Sequence, residues 1–388
     1  MKIRILYLQL VVLCISSYVA CAFASGIQSS DYFLKPTGIY GVSYQDIFLI
    51  NTDICPDAFY QENINDSDFS PNNTKHCHEI ALRVYYPSQN ELVLNDERYA
   101  PPIIETNKWL AKKYNLSKQD MAKLDTILKI KTYTTANSEP INQKFPIIIF
   151  MPGSGSSVQT YTNIVSDLVS NGYIVIGINS LFINGALELS NGHIVSPPDA
   201  YSDVHGREEN IGDLKFVLDH ITDIKYEFNL KQDMDFNCVG LIGHSRGAMS
   251  IVNLLKQNQN YKEVRAVILM DPGDGLMQAN YPLSKFSIPK MTMWSSLFKN
   301  EAHGSSLVGE YNYEIILKPK NANDNFSDHN NFSDNSTLQY HPAYQIKKIH
   351  KLLAVGNGDG YTIAKEINDY VLNFFNRYLK NEASNELR

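Results

Sequence analysis

Between Phe145 and Met270 the chain alternates short, almost wholly apolar runs with segments of helical spacing, and this alternation restricts the fold more than any other feature. Phe145-Pro-Ile-Ile-Ile-Phe150, Tyr173–Ile178, Val239–Ile242 and Val264–Met270 lack the polar face of a surface strand. Such runs are strands covered on both sides within a parallel sheet. Residues 158–171 and 247–257 between them have helical character, and Glu208–Ile221 sets Ile211, Leu214, Val217, Leu218 and Ile221 on one stripe. The repetition predicts an α/β fold, with a mostly parallel central sheet and helices on both faces. Ile288–Trp294 adds a strand, and a closing helix over 361–380 turns Ile367, Tyr370, Val371, Phe374, Phe375 and Tyr378 inward.

The N-terminal third reads differently. Ile80, Leu82 and Val84 alternate with polar neighbours, which predicts antiparallel strands across 37–87 with a polar loop over 56–74. Residues 103–130 (Trp109, Leu110, Leu116, Met121, Leu124, Leu128) have the spacing of a helical insertion or lid. A pocket loop or lid is expected at 181–206. Leu181-Phe182-Ile183 and Trp109-Leu110 fit an acyl site and ordinary core equally well.

Gly243-His244-Ser245-Arg246-Gly247 is a G-x-S-x-G pentapeptide set between the strand ending at Ile242 and the helix opening at Ala248. A sharp strand-to-helix turn strains the serine, exposes its Oγ above the sheet and aims the helix N-terminus at it. Ser245 is therefore the candidate nucleophile, against the plainer reading of a buried serine in a Gly-rich turn. A serine hydroxyl needs a base, and the base an orienting acid. In this type of site the partners follow in chain order as acid, then histidine. Asp271 directly follows the strand Val264–Met270, at the sheet edge where ligands bind, with Asp274 as runner-up. Four histidines lie downstream: His303, His329, His341 and His350. Oxyanion donors are expected from the backbone N–H of Arg246 and of Ser154, within Met151-Pro-Gly-Ser-Gly-Ser-Ser157. That loop lacks the G-K-[ST] ending of a phosphate cradle.

These residues resemble the platelet-activating-factor acetylhydrolase/lipoprotein-associated phospholipase A2 group of α/β-hydrolases. The likeness runs through Pro36-Thr-Gly-Ile-Tyr40, Leu82-Arg-Val-Tyr-Tyr-Pro-Ser88, Phe145–Gly155, Asn171-Gly-Tyr-Ile-Val175, the serine turn, the Asp271 strand end and the helix Ile367–Leu379. The resemblance implies the α/β-hydrolase fold, a serine ester hydrolase, Asp271 as the acid, and His329 in His329-Asn-Asn-Phe-Ser-Asp334 as the base. It implies a phospholipid or related lipid ester as substrate. Pro152 departs from the family's His-Gly-x-Gly loop. Gly-His-Ser-Arg-Gly with Asp271-Pro-Gly-Asp-Gly also resembles chlorophyllases, which leaves short-chain or polymeric esters as alternative substrates.

Residues 1–24 read as a signal peptide: Lys2 and Arg4, an apolar stretch to about Val19, then Ala22-Phe-Ala24 as the cleavage site. An uncleaved membrane anchor and lipid attachment at Cys21 are the alternative readings. Residues 25–388 are then one exported domain, in which Cys55 and Cys77 pair as a disulfide and Cys238 is a small buried hydrophobe. A formal charge of −7 without a Lys/Arg block excludes a nucleic-acid surface, leaving a small-molecule or lipid ester, and peripheral contact with a lipid surface, as the expected partners. Neither cofactor nor metal is expected, His76-Cys77-His78 being too compact for one site. Competing readings are a catalytically silent binder of the same fold and a peptidase.

Overall fold

Met1–Tyr32 separates as its own unit, and the signal peptide expected there lies outside the described residues. The computed structural model describes residues 32–54, 77–98, 112, 115–181, 184, 187–190, 192, 194–195, 203–222, 234–258, 261–272, 287–297, 311–318, 326–346 and 355–382. Nine strands form the main sheet: β1 (Gly41–Asn51), β2 (His78–Ser88), β3 (Thr134–Ala136), β4 (Phe145–Met151), β5 (Ile174–Asn179), β6 (Met234–His244), β7 (Val264–Met270), β8 (Lys290–Ser295) and β9 (Asn312–Leu317). Their spatial order is β9-β8-β7-β6-β4-β5-β2-β1-β3. Strands β4 to β9 are mutually parallel, and β2 runs antiparallel to both β1 and β5. The principal helices are α1 (Lys118–Leu124), α2 (Thr162–Ser170), α3 (Asp203–Asp219), α4 (Arg246–Gln257) and α5 (Gly360–Leu379).

Strand β4 explains why the central runs carry no polar face. Ile147, Ile149 and Met151 pack with Leu214 and Val217 of α3 and with Ala248, Ile251 and Leu255 of α4. Ile148 and Phe150 point the other way, to Ile164, Val165 and Leu168 of α2 and Ile363, Ile367, Phe374 and Phe375 of α5. A helix pair on each face buries both sets, as the apolar pattern requires. This is the α/β-hydrolase arrangement.

The alternation in β2 predicts one solvated face, but every residue of His78–Ser88 is buried. The strand is interior, between β1 and β5, and its charged side chains find partners within the protein. Arg83 donates two hydrogen bonds of 2.6 Å to the carboxylate of Asp46 on β1 and lies 4.0 Å over the Tyr44 ring. Glu79 accepts the Ser190 N–H and hydroxyl at 2.6 and 2.9 Å.

Three other expectations need adjustment. Of 103–130, Lys112 is helical, and a further helix opens at Lys118, where Ser117 and Asp120 form a capping box, and tightens into a 3₁₀ turn over Asp125–Lys129. Trp109 and Leu110 lie outside the described residues. Leu181 is fully buried, as core, while Phe182 and Ile183 also fall outside. Cys238 is half-buried rather than buried, its thiol donating to the Leu379 carbonyl at 3.0 Å, because its strand faces the end of α5. Cys77 is disulfide-bonded; Cys55 is outside the described residues, but the His78 N–H donates to Ile54 O at 3.0 Å, bringing the two stretches together.

Candidate active site

The candidate residues Ser245 and Asp271 lie at the carboxyl edge of the parallel strands. His244 and Met270 are register partners at the ends of β6 and β7, so Ser245 and Asp271 are the first residues beyond two adjacent strands. Both have left-handed backbones, with φ of 53° and 39°. Such a conformation costs a non-glycine residue about 1–3 kcal/mol and persists only where its surroundings enforce it. For Ser245 the enforcing contacts are its N–H on Met270 O at 2.9 Å and its carbonyl on the Met249 N–H at 3.1 Å. The flanking glycines are steric necessities: a Cβ on Gly243 would lie 2.6 Å from the Ala248 nitrogen, and one on Gly247 would lie 2.1 Å from Met151 O. Ser245 thus caps α4 while its side chain stays half-buried at the helix N-terminus.

Asp271 is completely buried. Its N–H donates to Met293 O at 2.8 Å, and its Oδ1 accepts the Ser295 N–H at 2.7 Å. Its Oδ2 faces His329 Nδ1 at 3.2 Å, with the imidazole 27% exposed. Oδ2 is an acceptor when ionised, so Nδ1 carries the proton and Nε2 is left as the basic nitrogen. Ser245 Oγ and His329 are not joined by a hydrogen bond; such contacts commonly tighten when substrate arrives.

His329 is held in place by the segment that follows it. Asp334 accepts the Thr162 and Asn163 N–H groups at 2.7 and 2.9 Å, docking its carboxylate on the N-terminus of α2. Asn331 Oδ1 accepts the Asp328 and Gly356 N–H groups, both at 2.8 Å. Of the other histidines, His341 is buried and its Nδ1 accepts the Ala343 N–H, which is a capping role. His303, His350 and Asp274 lie outside the described residues.

A second histidine, not singled out by its sequence position, organises the site. His244 is buried, and burial, then the neighbouring His329 charge, holds its pKa well below the usual 6.5. Its Nε2 lies 3.1 Å from the His329 carbonyl and can only donate there. In the neutral ring Nδ1 must then accept, so the Tyr161 hydroxyl donates to it at 2.8 Å while accepting the Gly153 N–H at 3.0 Å. The chain Gly153–Tyr161–His244–His329 therefore links the loop after β4 to the backbone of the candidate base. A Cβ on Gly153 would meet His244 Nδ1 at 3.0 Å and the Ser245 Cβ at 3.3 Å, so the loop lies directly against the serine. Ser154 is exposed on the turn closed by Ser156 N–H to Gly153 O, and Arg246 opens α4. The Pro152 departure is compensated: Tyr161 binds Gly153, and Asn184 Nδ2 donates to the Ser156 carbonyl.

A cavity of about 190 Å3 opens beside Ser245, lined by Arg207 of α3, Arg246, Met249, Ser250 and Asn253 of α4, and Pro272. Arg207 and Asn253 add a wall beyond the expected 181–206 segment, half of which lies outside the described residues. Among the described residues, the cluster of metal-ligating side chains is elsewhere, at His78.

Comparison with known proteins agrees with this architecture. A family model described as platelet-activating factor acetylhydrolase, isoform II, matches residues 68–180, which include β2, β4, the Gly153 loop and β5. The platelet-activating factor acetylhydrolase of Canis lupus familiaris is 24% identical over an alignment of 219 residues covering 47% of this chain and 48% of that one. The match thus spans about half the length of that relative. A ferulic acid esterase from Streptomyces cinnamoneus superposes with a TM-score of 0.65 at 17% identity, covering 90% of this chain and 93% of the other. At that identity the likeness establishes the fold. In sequence the chain resembles the platelet-activating-factor acetylhydrolase group, and its fold is that of the α/β-hydrolases.

Proposed function

We propose that the chain is a serine carboxylic ester hydrolase working by acyl transfer to Ser245. The observation that carries this is the contact of Asp271 Oδ2 with His329 Nδ1, one strand away from a strained serine at a helix N-terminus. In the mechanism, His329 Nε2 removes the Ser245 hydroxyl proton as Oγ attacks the ester carbonyl carbon. Asp271 fixes the imidazole tautomer and stabilises its protonated form. The N–H groups of Ser154 and Arg246 receive the oxyanion, one such donor being worth roughly 2.7–4 kcal/mol. His329 then returns the proton to the leaving alkoxide, and water, activated by the same imidazole, releases the acid.

The substrate we assign is a glycerophospholipid or related lipid ester, met at a lipid surface by an exported protein. Two arginines in the wall beside Ser245 suit a phosphate-bearing ester, and a disulfide at Cys77 suits an oxidising compartment. A hydrolysis panel of p-nitrophenyl esters, phospholipids and lysophospholipids, run on the wild type and Ser245→Ala, tests the proposal. Ester turnover abolished by the substitution is expected; turnover surviving it would defeat the reading, and exclusive cleavage of short neutral esters would move the substrate to the short-chain or polymeric class.

A further inference from the structure

The start of β2 and one face of α3 meet in a buried polar cluster on which the proposed hydrolysis does not draw. His78 Nε2 lies 2.7 Å from Asp213 Oδ1, with side-chain exposures of only 4% and 3%. Glu209 joins them: one donor atom from each of His78, Glu209 and Asp213 lies within 4.8 Å of the other two. Glu209 and Asp213 stand four residues apart on α3, so both carboxylates share the helix face turned to the strand. Asp213 Oδ2 is buried and accepts no hydrogen bond. A buried His–Asp pair by itself needs one carboxylate. Leaving the buried Asp213 oxygen unsatisfied is costly unless a cation answers it, and the second acid converges on the same point.

We propose that His78, Glu209 and Asp213 bind a divalent transition-metal ion of the zinc class, with water completing its shell. One imidazole nitrogen and two carboxylate oxygens form a zinc-type donor set, whereas calcium takes six to eight oxygens and no imidazole. Zinc-ligand bonds of about 2.0–2.2 Å in tetrahedral array put donor atoms roughly 3.3 Å apart, which modest side-chain rotation reaches from the present spacing. The ion is a clamp. It ties the beginning of β2, next to the disulfide-bonded Cys77, to α3, and α3 carries Arg207 into the wall beside Ser245. Chain spacing gave no sign of the site, because His78 and Asp213 are 135 residues apart.

The test uses the purified full chain, stripped with EDTA and titrated with zinc chloride, with calcium chloride as control. Bound metal is measured by mass spectrometry of the gel-filtered protein, and the melting temperature with and without zinc. One zinc per chain, a zinc-dependent rise in melting temperature, and an affinity at least about tenfold weaker in Glu209→Gln and Asp213→Asn are expected, by analogy with other losses around a metal site. Substoichiometric zinc in the wild type, or zinc binding unchanged in Glu209→Gln, would overturn the proposal. The half-buried Glu209 variant decides the matter even if Asp213→Asn fails to fold. Neither readout depends on hydrolysis, so the outcome is separate from that of the Ser245 experiment.

Discussion

The molecule contains two histidine–aspartate pairs that differ in what surrounds them. His78–Asp213 is short, at 2.7 Å, with both side chains buried. His329–Asp271 is longer, at 3.2 Å, with a fully buried carboxylate and an imidazole 27% exposed. Asp271 is further committed through Oδ1 to the Ser295 N–H, and its backbone is strained, as is that of Ser245 alongside. The same two residue types therefore serve opposite ends. A closed pair suits the holding together of elements, whereas an anchored acid behind an accessible ring suits the proton transfer proposed for His329. Composition of a pair says little; accessibility and the strain of the neighbouring backbone say what it is for.

Substitutions should separate the two pairs cleanly. The largest effect is expected from Ser245→Ala, with kcat falling roughly 10⁶-fold as for other triad serines. Asp271→Asn should follow at about 10⁴-fold, because the amide favours the wrong imidazole tautomer. Asp213→Asn should reverse the pattern: about 1–3 kcal/mol lost in denaturant unfolding, with kcat within a few-fold of wild type. Equal losses of activity in Asp271→Asn and Asp213→Asn would erase the distinction.

Tyr161→Phe probes the link between the Gly153 loop and the histidine loop. It orphans the buried Gly153 N–H and removes the donor to His244, so a drop of about tenfold in kcat with about 1 kcal/mol of stability is expected. A pH series sharpens the role of His244. Its folded pKa is depressed, so below about pH 6.5 the unfolded chain takes up a proton that the folded chain refuses. Stability should then be constant, as far as His244 is concerned, above that pH and decline as pH falls below it; His244→Gln should flatten this acid limb in urea unfolding measured across pH 5–8. Smallest of all, Arg207→Gln should raise KM for phospholipids a few-fold and leave neutral p-nitrophenyl esters unchanged, a split that steady-state kinetics reads directly.

What could be seen from the sequence divides along similar lines. Ser245 and Asp271 are legible because local chain grammar fixes them: each follows a buried strand, and the glycines at 243 and 247 are demanded by backbone contacts. His329 required chain order and a resemblance, since an Asn-rich loop has no period, and the docking of Asp334 on α2 is set by folding. Tyr161 and His244 form their bond across 83 residues and left no local signal, although the histidine stands beside the nucleophile in the same pentapeptide. The full burial of β2 was misjudged for a related reason. Arg83 and Glu79 look solvated in one dimension, while Asp46 and Ser190, far off in the chain, supply their partners.

Whether Ser245 is an activated nucleophile is decided by a fluorophosphonate probe with peptide mapping. One covalent adduct on the peptide carrying Ser245, formed by folded protein, slowed in Asp271→Asn and unaffected in rate by Glu209→Gln, is the predicted result. Failure of the folded wild type to react, or an adduct on another residue, would contradict the account.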